Sequence, residues 1–130
     1  MAQPSKRIKS KPVENTTTDE QVKLYLTISP LLKSAFDEIK ELSKKKQDEP
    51  LNLNKVKWIN RLLGKAKEVL KEEPTIEYLD LLNEDDLPSN SDAVLMMSQF
   101  ISAMDKFKSD HYYYDNIKYA WAWDNEGHWE

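Results

Sequence analysis

Residues 51–74, LNLNKVKWINRLLGKAKEVLKEEP, carry the strongest helical pattern in the chain. Val56, Ile59, Leu62, Leu63, Ala66, Val69 and Leu70 recur at three- and four-residue steps, the period of one helix face. Asn52 or Asn54 is placed to cap the start, and Pro74 ends the helix. Gly64 within it costs about 1 kcal/mol relative to alanine, which is tolerable where another helix crosses closely.

Toward the N-terminus, residues 47–50 form a linker, and before it a second amphipathic pattern runs from Pro30 to about Lys46. Leu32, Ala35, Phe36, Ile39 and Leu42 make its apolar side, with Lys33, Asp37, Lys40 and Glu41 on the other. Ser29-Pro30 suits an N-cap followed by a proline whose missing N–H costs nothing in the first turn. Further back, Val22, Leu24, Leu26 and Ile28 alternate with the strand period, although Asp19 and Glu20 also suit a helix start. Residues 1–18 hold Lys6, Arg7, Lys9 and Lys11 against one acid, Glu14, with two prolines and scattered apolar positions. They are expected to form a disordered basic tail.

Toward the C-terminus, Thr75 can cap a short third helix carrying Ile76, Leu79 and Leu82, followed by an acidic loop over residues 83–90. Ser89-Asn90-Ser91-Asp92 then opens a fourth helix with Ala93, Met97, Phe100, Met104 and Phe107 as its stripe, widened by Val94 and Ile101 and ending near Ser109. Beyond it the composition turns aromatic, with Tyr112, Tyr113, Tyr114, Tyr119, Trp121, Trp123 and Trp129. Asp115-Asn116 suits a tight turn, and Ile117, Tyr119, Trp121 and Trp123 alternate with Lys118, Ala120 and Ala122.

The expected fold is mainly α, a compact bundle of about four helices. It allows a small β-hairpin from the C-terminal aromatic segment, or a two-stranded element pairing that segment with residues 22–28. The expected organisation is a tail over 1–18 and a single helical domain over 19–130 that includes the aromatic segment 112–130. No pattern recurs at a fixed period, so a solenoid is not expected.

Several chemistries are closed to this chain. Without cysteine there is no disulfide, thiolate nucleophile or cysteine-ligated metal. With Gly64 and Gly127 as its only glycines, neither a dinucleotide fingerprint nor a phosphate-cradling loop can be written. No cofactor is expected. No apolar run approaches a membrane span and no hydrophobic leader precedes the basic tail, so the expected location is cytoplasmic.

His111, beside Asp110 and near Asp115, has the makings of an oriented acid–base group, but no motif-borne nucleophile accompanies it. Its structural role would be to end the fourth helix at the negative end of the dipole. His111 and His128 lack metal-ligand spacing, and no metal site is expected. The acids Glu72, Glu73, Glu77, Asp80, Glu84, Asp85 and Asp86 form a dense run, with Glu77, Asp80 and Glu84 on one face if that segment is helical. The run lacks the spacing of a calcium loop and reads as a solvated face or a surface for a basic partner.

The C-terminal aromatics offer either core closure or a contact surface, and Trp58 and Tyr78 suit a packing layer beneath them. The leading functional expectation is a non-enzymatic protein-binding module, such as a small acidic inhibitor, immunity-type factor or accessory subunit. Its surface would be the acidic run together with Tyr112, Tyr113, Tyr114, Trp121 and Trp123. The alternative is a nucleic-acid-associated protein gripping phosphates through Lys6, Arg7, Lys9 and Lys11, and the third is an enzyme with dispersed residues near His111. Self-association is compatible with each, through a stripe such as Met96, Phe100 and Met104.

Overall fold

A computed structural model of the chain describes residues 17–115 and 118–121, with side chains over 17–112. It is mainly helical, with three α-helices among the described residues: α1 (Asp19–Lys45), α2 (Leu53–Val69) and α3 (Asn90–His111).

Residues 22–28 are helix, not strand. Tyr25 decides the period: Val22, Tyr25, Ile28, Leu32 and Ile39 are the buried set of α1, at helical steps. Leu26, which completes the alternation on paper, is exposed. The start lies at Thr18, where the Thr18 side chain accepts from the Gln21 amide at 3.1 Å and the Gln21 side chain accepts from the Thr18 amide at 3.1 Å. This reciprocal capping box satisfies two donors at once. Pro30 therefore lies inside α1 rather than at its first turn. It removes the N–H that would bond to the Leu26 carbonyl, and it does so on the exposed side, where water can serve that oxygen. A helical 22–28 also rules out its pairing as a strand with the C-terminal segment.

α2 starts at Asn52, whose side chain accepts from the Lys55 amide at 2.9 Å, and it buries Val56, Ile59, Leu62, Leu63, Ala66 and Val69. α3 starts at Ser89, whose hydroxyl accepts from the Asp92 amide at 3.1 Å, and runs to His111. No close crossing explains Gly64, since a Cβ built there meets nothing within 4 Å.

Contacts fix the helix directions. Gln21 at the start of α1 donates to the Val69 carbonyl at the end of α2 (3.0 Å), so α1 and α2 are antiparallel. Tyr25 packs on Phe107 (5.7 Å between ring centres), and the Asn90 side-chain Nδ2 at the start of α3 donates to the Lys46 carbonyl (2.8 Å), so α1 and α3 are antiparallel too. α2 and α3 must then be parallel, and residues 70–89 have to carry the chain back along the length of α2, roughly 25 Å for its turns. α1 is the central element and packs along both other helices.

That return segment stands where the third of the four expected helices would lie. The short helix from Thr75 is replaced by a single 3₁₀ turn, Pro74–Tyr78, beyond which the chain is extended and buries Leu79 and Leu82. At ~3.3 Å per extended residue, about ten residues suffice to climb back along α2. Glu77, Asp80 and Glu84 consequently share no helical face.

After α3, β1 (Tyr112–Asp115) and β2 (Lys118–Trp121) pair antiparallel with Tyr112 opposite Trp121 and Asp115 opposite Lys118. Asn116 of the expected turn, Trp123 and Trp129 lie outside the described residues, as do Lys6, Arg7, Lys9, Lys11 and His128. Among the described residues no helix is long and apolar enough to cross a membrane.

Candidate functional site

The crossover, residues 70–89, is where the acidic run falls. It is held at its beginning, middle and end. At the beginning, Glu73 Oε2 lies 3.1 Å from His111 Nε2, with the two side chains 13% and 4% exposed. Phe107 packs on the imidazole at 4.7 Å between ring centres, so this corner is closed by the last two turns of α3. The expected placement of His111 at the helix end holds, and its carboxylate neighbour there is Glu73 rather than Asp110, which bonds Lys106 at 2.9 Å. That bond and the Asp110 charge hold the exposed Lys106 ammonium above its ordinary pKa.

In the middle, Asn60 of α2 treats Leu82 as a strand neighbour would. Its Nδ2 donates to the Leu82 carbonyl and its Oδ1 accepts from the Leu82 amide, each at 2.9 Å. A helix side chain thereby satisfies the backbone of a buried extended residue. Asn60 Nδ2 also reaches Glu84 at 3.1 Å, and Asn83 Oδ1 accepts from the amides of Asp85 and Asp86, both at 2.8 Å. This Asx-type turn fixes the direction in which the last three acids project.

At the end, the crossover meets the α1–α2 connection through backbone bonds. Leu51 N donates to the Pro88 carbonyl, Asn90 N to the Glu49 carbonyl and Ser91 N to the Gln47 carbonyl, at 2.8, 2.8 and 3.0 Å. Two of these amides belong to the first turn of α3, where no intrahelical acceptor exists.

What the crossover displays is charge. Glu72, Glu77, Asp80, Glu84, Asp85 and Asp86 are exposed, while Glu73 is half-buried at the His111 corner. Residues 71–92 contain eight carboxylates and one lysine, which leaves the rest of the chain with three more bases than acids. On the helices four acids are paired, Lys44–Glu41, Lys65–Glu68, Lys106–Asp110 and Lys33–Asp105 all lying within 4 Å, while Glu20, Asp37, Glu38 and Asp92 have no ion pair within that distance among the described residues. Among the described residues, none of the six exposed crossover acids has a cation within that distance. Between the crossover and α3 runs an open groove of about 510 Å³ with Leu79 and Ala103 in its lining and Thr75, Tyr78, Gln99, Ser102 and Lys106 around them.

Other expected site residues do not join this surface. Tyr112 is half-buried with the Lys108 ammonium 5.2 Å from its ring centre. Tyr113, Tyr114 and Trp121 lie in the strand pair, with side chains outside the described part. Trp58 and Tyr78 are exposed rather than a packing layer, and Phe100 and Met104 are buried, which removes them as a self-association stripe. His111 lines neither this groove nor the one between α1 and α2. Among the described residues no three His, Cys, Asp or Glu side chains converge as metal ligands. The residues that sequence reasoning missed are Asn60 and Asn83; both act on backbone groups, and only Asn83, beside Asp85 and Asp86, had a local signal.

Compared with known family models, curated proteins and solved structures, the chain matches none.

Proposed function

We propose that this chain is a non-enzymatic protein-binding module that presents its crossover to a basic surface of a partner, as an inhibitor, immunity-type factor or accessory subunit would. One observation carries the reading: the chain's entire excess of negative charge sits on residues 71–92, and among the described residues six exposed acids there have no cation within 4 Å. Unpaired exposed carboxylates at fixed positions steer a cationic partner toward one face and penalise an anionic one. Their placement on a segment secured by Asn60, Asn83 and the Glu73–His111 contact supports pre-organisation, which lowers the entropy cost of binding. The same reading takes residues 1–18 as a basic tail, corrected at its end because Thr17 is buried and Thr18 caps α1, residues 19–130 as one domain with a tight turn at Asp115-Asn116, and the cytoplasm as its location.

The test compares pull-downs from native lysate with the intact chain and with a variant carrying Glu72→Gln, Glu77→Gln, Asp80→Asn, Asp85→Asn and Asp86→Asn. Glu73 and Glu84 are left in place because they bond His111 and Asn60. A stoichiometric protein recovered by the first and lost by the second, with unchanged circular dichroism, is the expected result. Equal recovery removes the crossover from the reading, and recovery sensitive to nuclease moves it to Lys6, Arg7, Lys9 and Lys11 of the tail.

A further inference from the structure

We infer that copies of this chain associate head to tail, with Tyr78 of one copy's crossover seated in the groove between α1 and α2 of the next. The inference rests on the crossover being a contact surface and names one partner for it, a second copy.

The groove has a volume of about 140 Å³, with Leu31, Ala35 and Ile39 on the α1 wall and Trp58 and Ile59 on the α2 wall. An apolar cavity near 150 Å³ accommodates benzene, so this one admits a single ring. Leu31 and Trp58 are each 44% exposed, leaving apolar walls in contact with water. The chain offers a matching anchor elsewhere. Tyr78 is 69% exposed, the most exposed of the large apolar side chains described, and Leu81 stands exposed one step beyond Asp80. A tyrosine anchor couples ring area with a polar tip, a pairing enriched at contact centres.

Charge sets the pairing. α2 holds five bases and one acid. Lys55 lines the groove, the Arg61 guanidinium lies 5.1 Å from the Trp58 ring centre, and Lys65 follows one turn later. Glu38, the only acid in the lining, is on the opposite wall. Tyr78 is flanked by Glu77 and Asp80, so seating it brings carboxylates to the cationic edge of α2. Crossover against crossover, or α2 against α2, would juxtapose like charges, which leaves the unlike pairing as the favoured one. A copy cannot fill its own groove: Tyr78 lines the space beside Gln99 and Ser102 of α3, whereas the receiving groove is built from α1 and α2. Each copy therefore carries both halves of a heterologous contact, which propagates rather than closing at two. With one ring as anchor, the contact belongs to the small, transient class below about 1,200 Å², and association at high micromolar concentration is expected.

Sedimentation velocity of the full chain tests this over rising concentration at low and high salt. Two exposed-site variants accompany it, with circular dichroism to confirm folding: Tyr78→Ala removes the anchor, and Leu31→Glu places a carboxylate in the groove wall. The expected result is a salt-weakened rise in average mass for the parent chain and monomers for each variant alone. An equal mixture of the two variants restores one intact contact and stops at a dimer. A parent chain that stays monomeric, variants that associate like the parent, or a mixture that stays monomeric would each overturn the inference. The pull-down variant separates the two ideas. Loss of a basic partner with the neutralised crossover, alongside a monomeric parent chain, discards the second copy and keeps the crossover; neutralisation that changes neither partner recovery nor self-association overturns the charge pairing on which both ideas rest.

Discussion

The crossover is held in two different ways along its length, and two asparagines mark the difference. Asn60, in the middle, makes both hydrogen bonds that a neighbouring strand would make to Leu82, plus one to Glu84. Asn90, at the end, makes one side-chain bond, to the Lys46 carbonyl, and leaves its buried Oδ1 without a partner. The end does not need more, because three backbone bonds already join residues 88–91 to 47–51. Where backbone meets backbone, the side chain is replaceable. Where a side chain stands in for backbone, the fold of the acidic face depends on that residue's identity.

The largest effect is expected at the beginning of the crossover, which also relies on side chains. His111→Ala removes a buried ring stacked on Phe107 and leaves the Glu73 carboxylate at 13% exposure without its imidazole. Cavity formation and an orphaned acid together are expected to cost about 3 kcal/mol in urea denaturation. Glu73→Gln, which keeps shape and a hydrogen bond to the ring, should cost about 1 kcal/mol or less. If the two variants lose stability equally, the charge of Glu73 rather than its contact holds this corner.

The sharper test sets the two asparagines against each other. Asn60→Ala leaves the N–H and C=O of buried Leu82 unpaired, an expected loss of about 2 kcal/mol together with faster amide exchange at Leu82. Asn90→Ala gives up one bond but also removes a buried acceptor that has none, so its net cost is expected below about 1 kcal/mol. Equal losses would mean that the end of the crossover is no more secured by its backbone than the middle is.

The same contrast explains what was legible in the sequence. The stripe of α2, the Asn52 and Ser89 caps and the arrival of α3 at His111 all rest on contacts within a turn or two of one helix, and local spacing records those. The start of α1 is ambiguous in the sequence because Val22, Leu24, Leu26 and Ile28 alternate as strand positions while Asp19 and Glu20 suit a helix start, and Ser29-Pro30 imitates a later one; Tyr25, buried with Val22 and Ile28, decides for the helix. The Thr18–Gln21 capping box is the local signal for the true start. The crossover was legible as an acidic, broken segment but not as an extended leg: Leu79 and Leu82 fit a helix stripe as well as two buried positions of an extended chain. What holds the extended form are Asn60–Leu82 and Glu73–His111, pairs 22 and 38 residues apart that no periodicity encodes.

The smallest effect probes how closely the crossover lies on α2. Gly64 follows Asn60 by four residues and so lies on the side of α2 that faces the crossover, one turn beyond the Leu82 clamp. Tight apposition there would explain a glycine in mid-helix, yet a Cβ at this position meets nothing within 4 Å. Gly64→Ala should therefore act through the helix alone, raising stability by about 0.5–1 kcal/mol as backbone freedom is lost from the unfolded chain. Thermal unfolding reads the sign directly, and amide exchange at Leu82 should not change. A destabilised variant with a faster-exchanging Leu82 would mean that the chain presses on α2 at this level, making the attachment a matter of packing. A stabilised one leaves Asn60 as a discrete clamp across an otherwise open stretch, the arrangement in which one side chain decides how the carboxylates beyond it are presented.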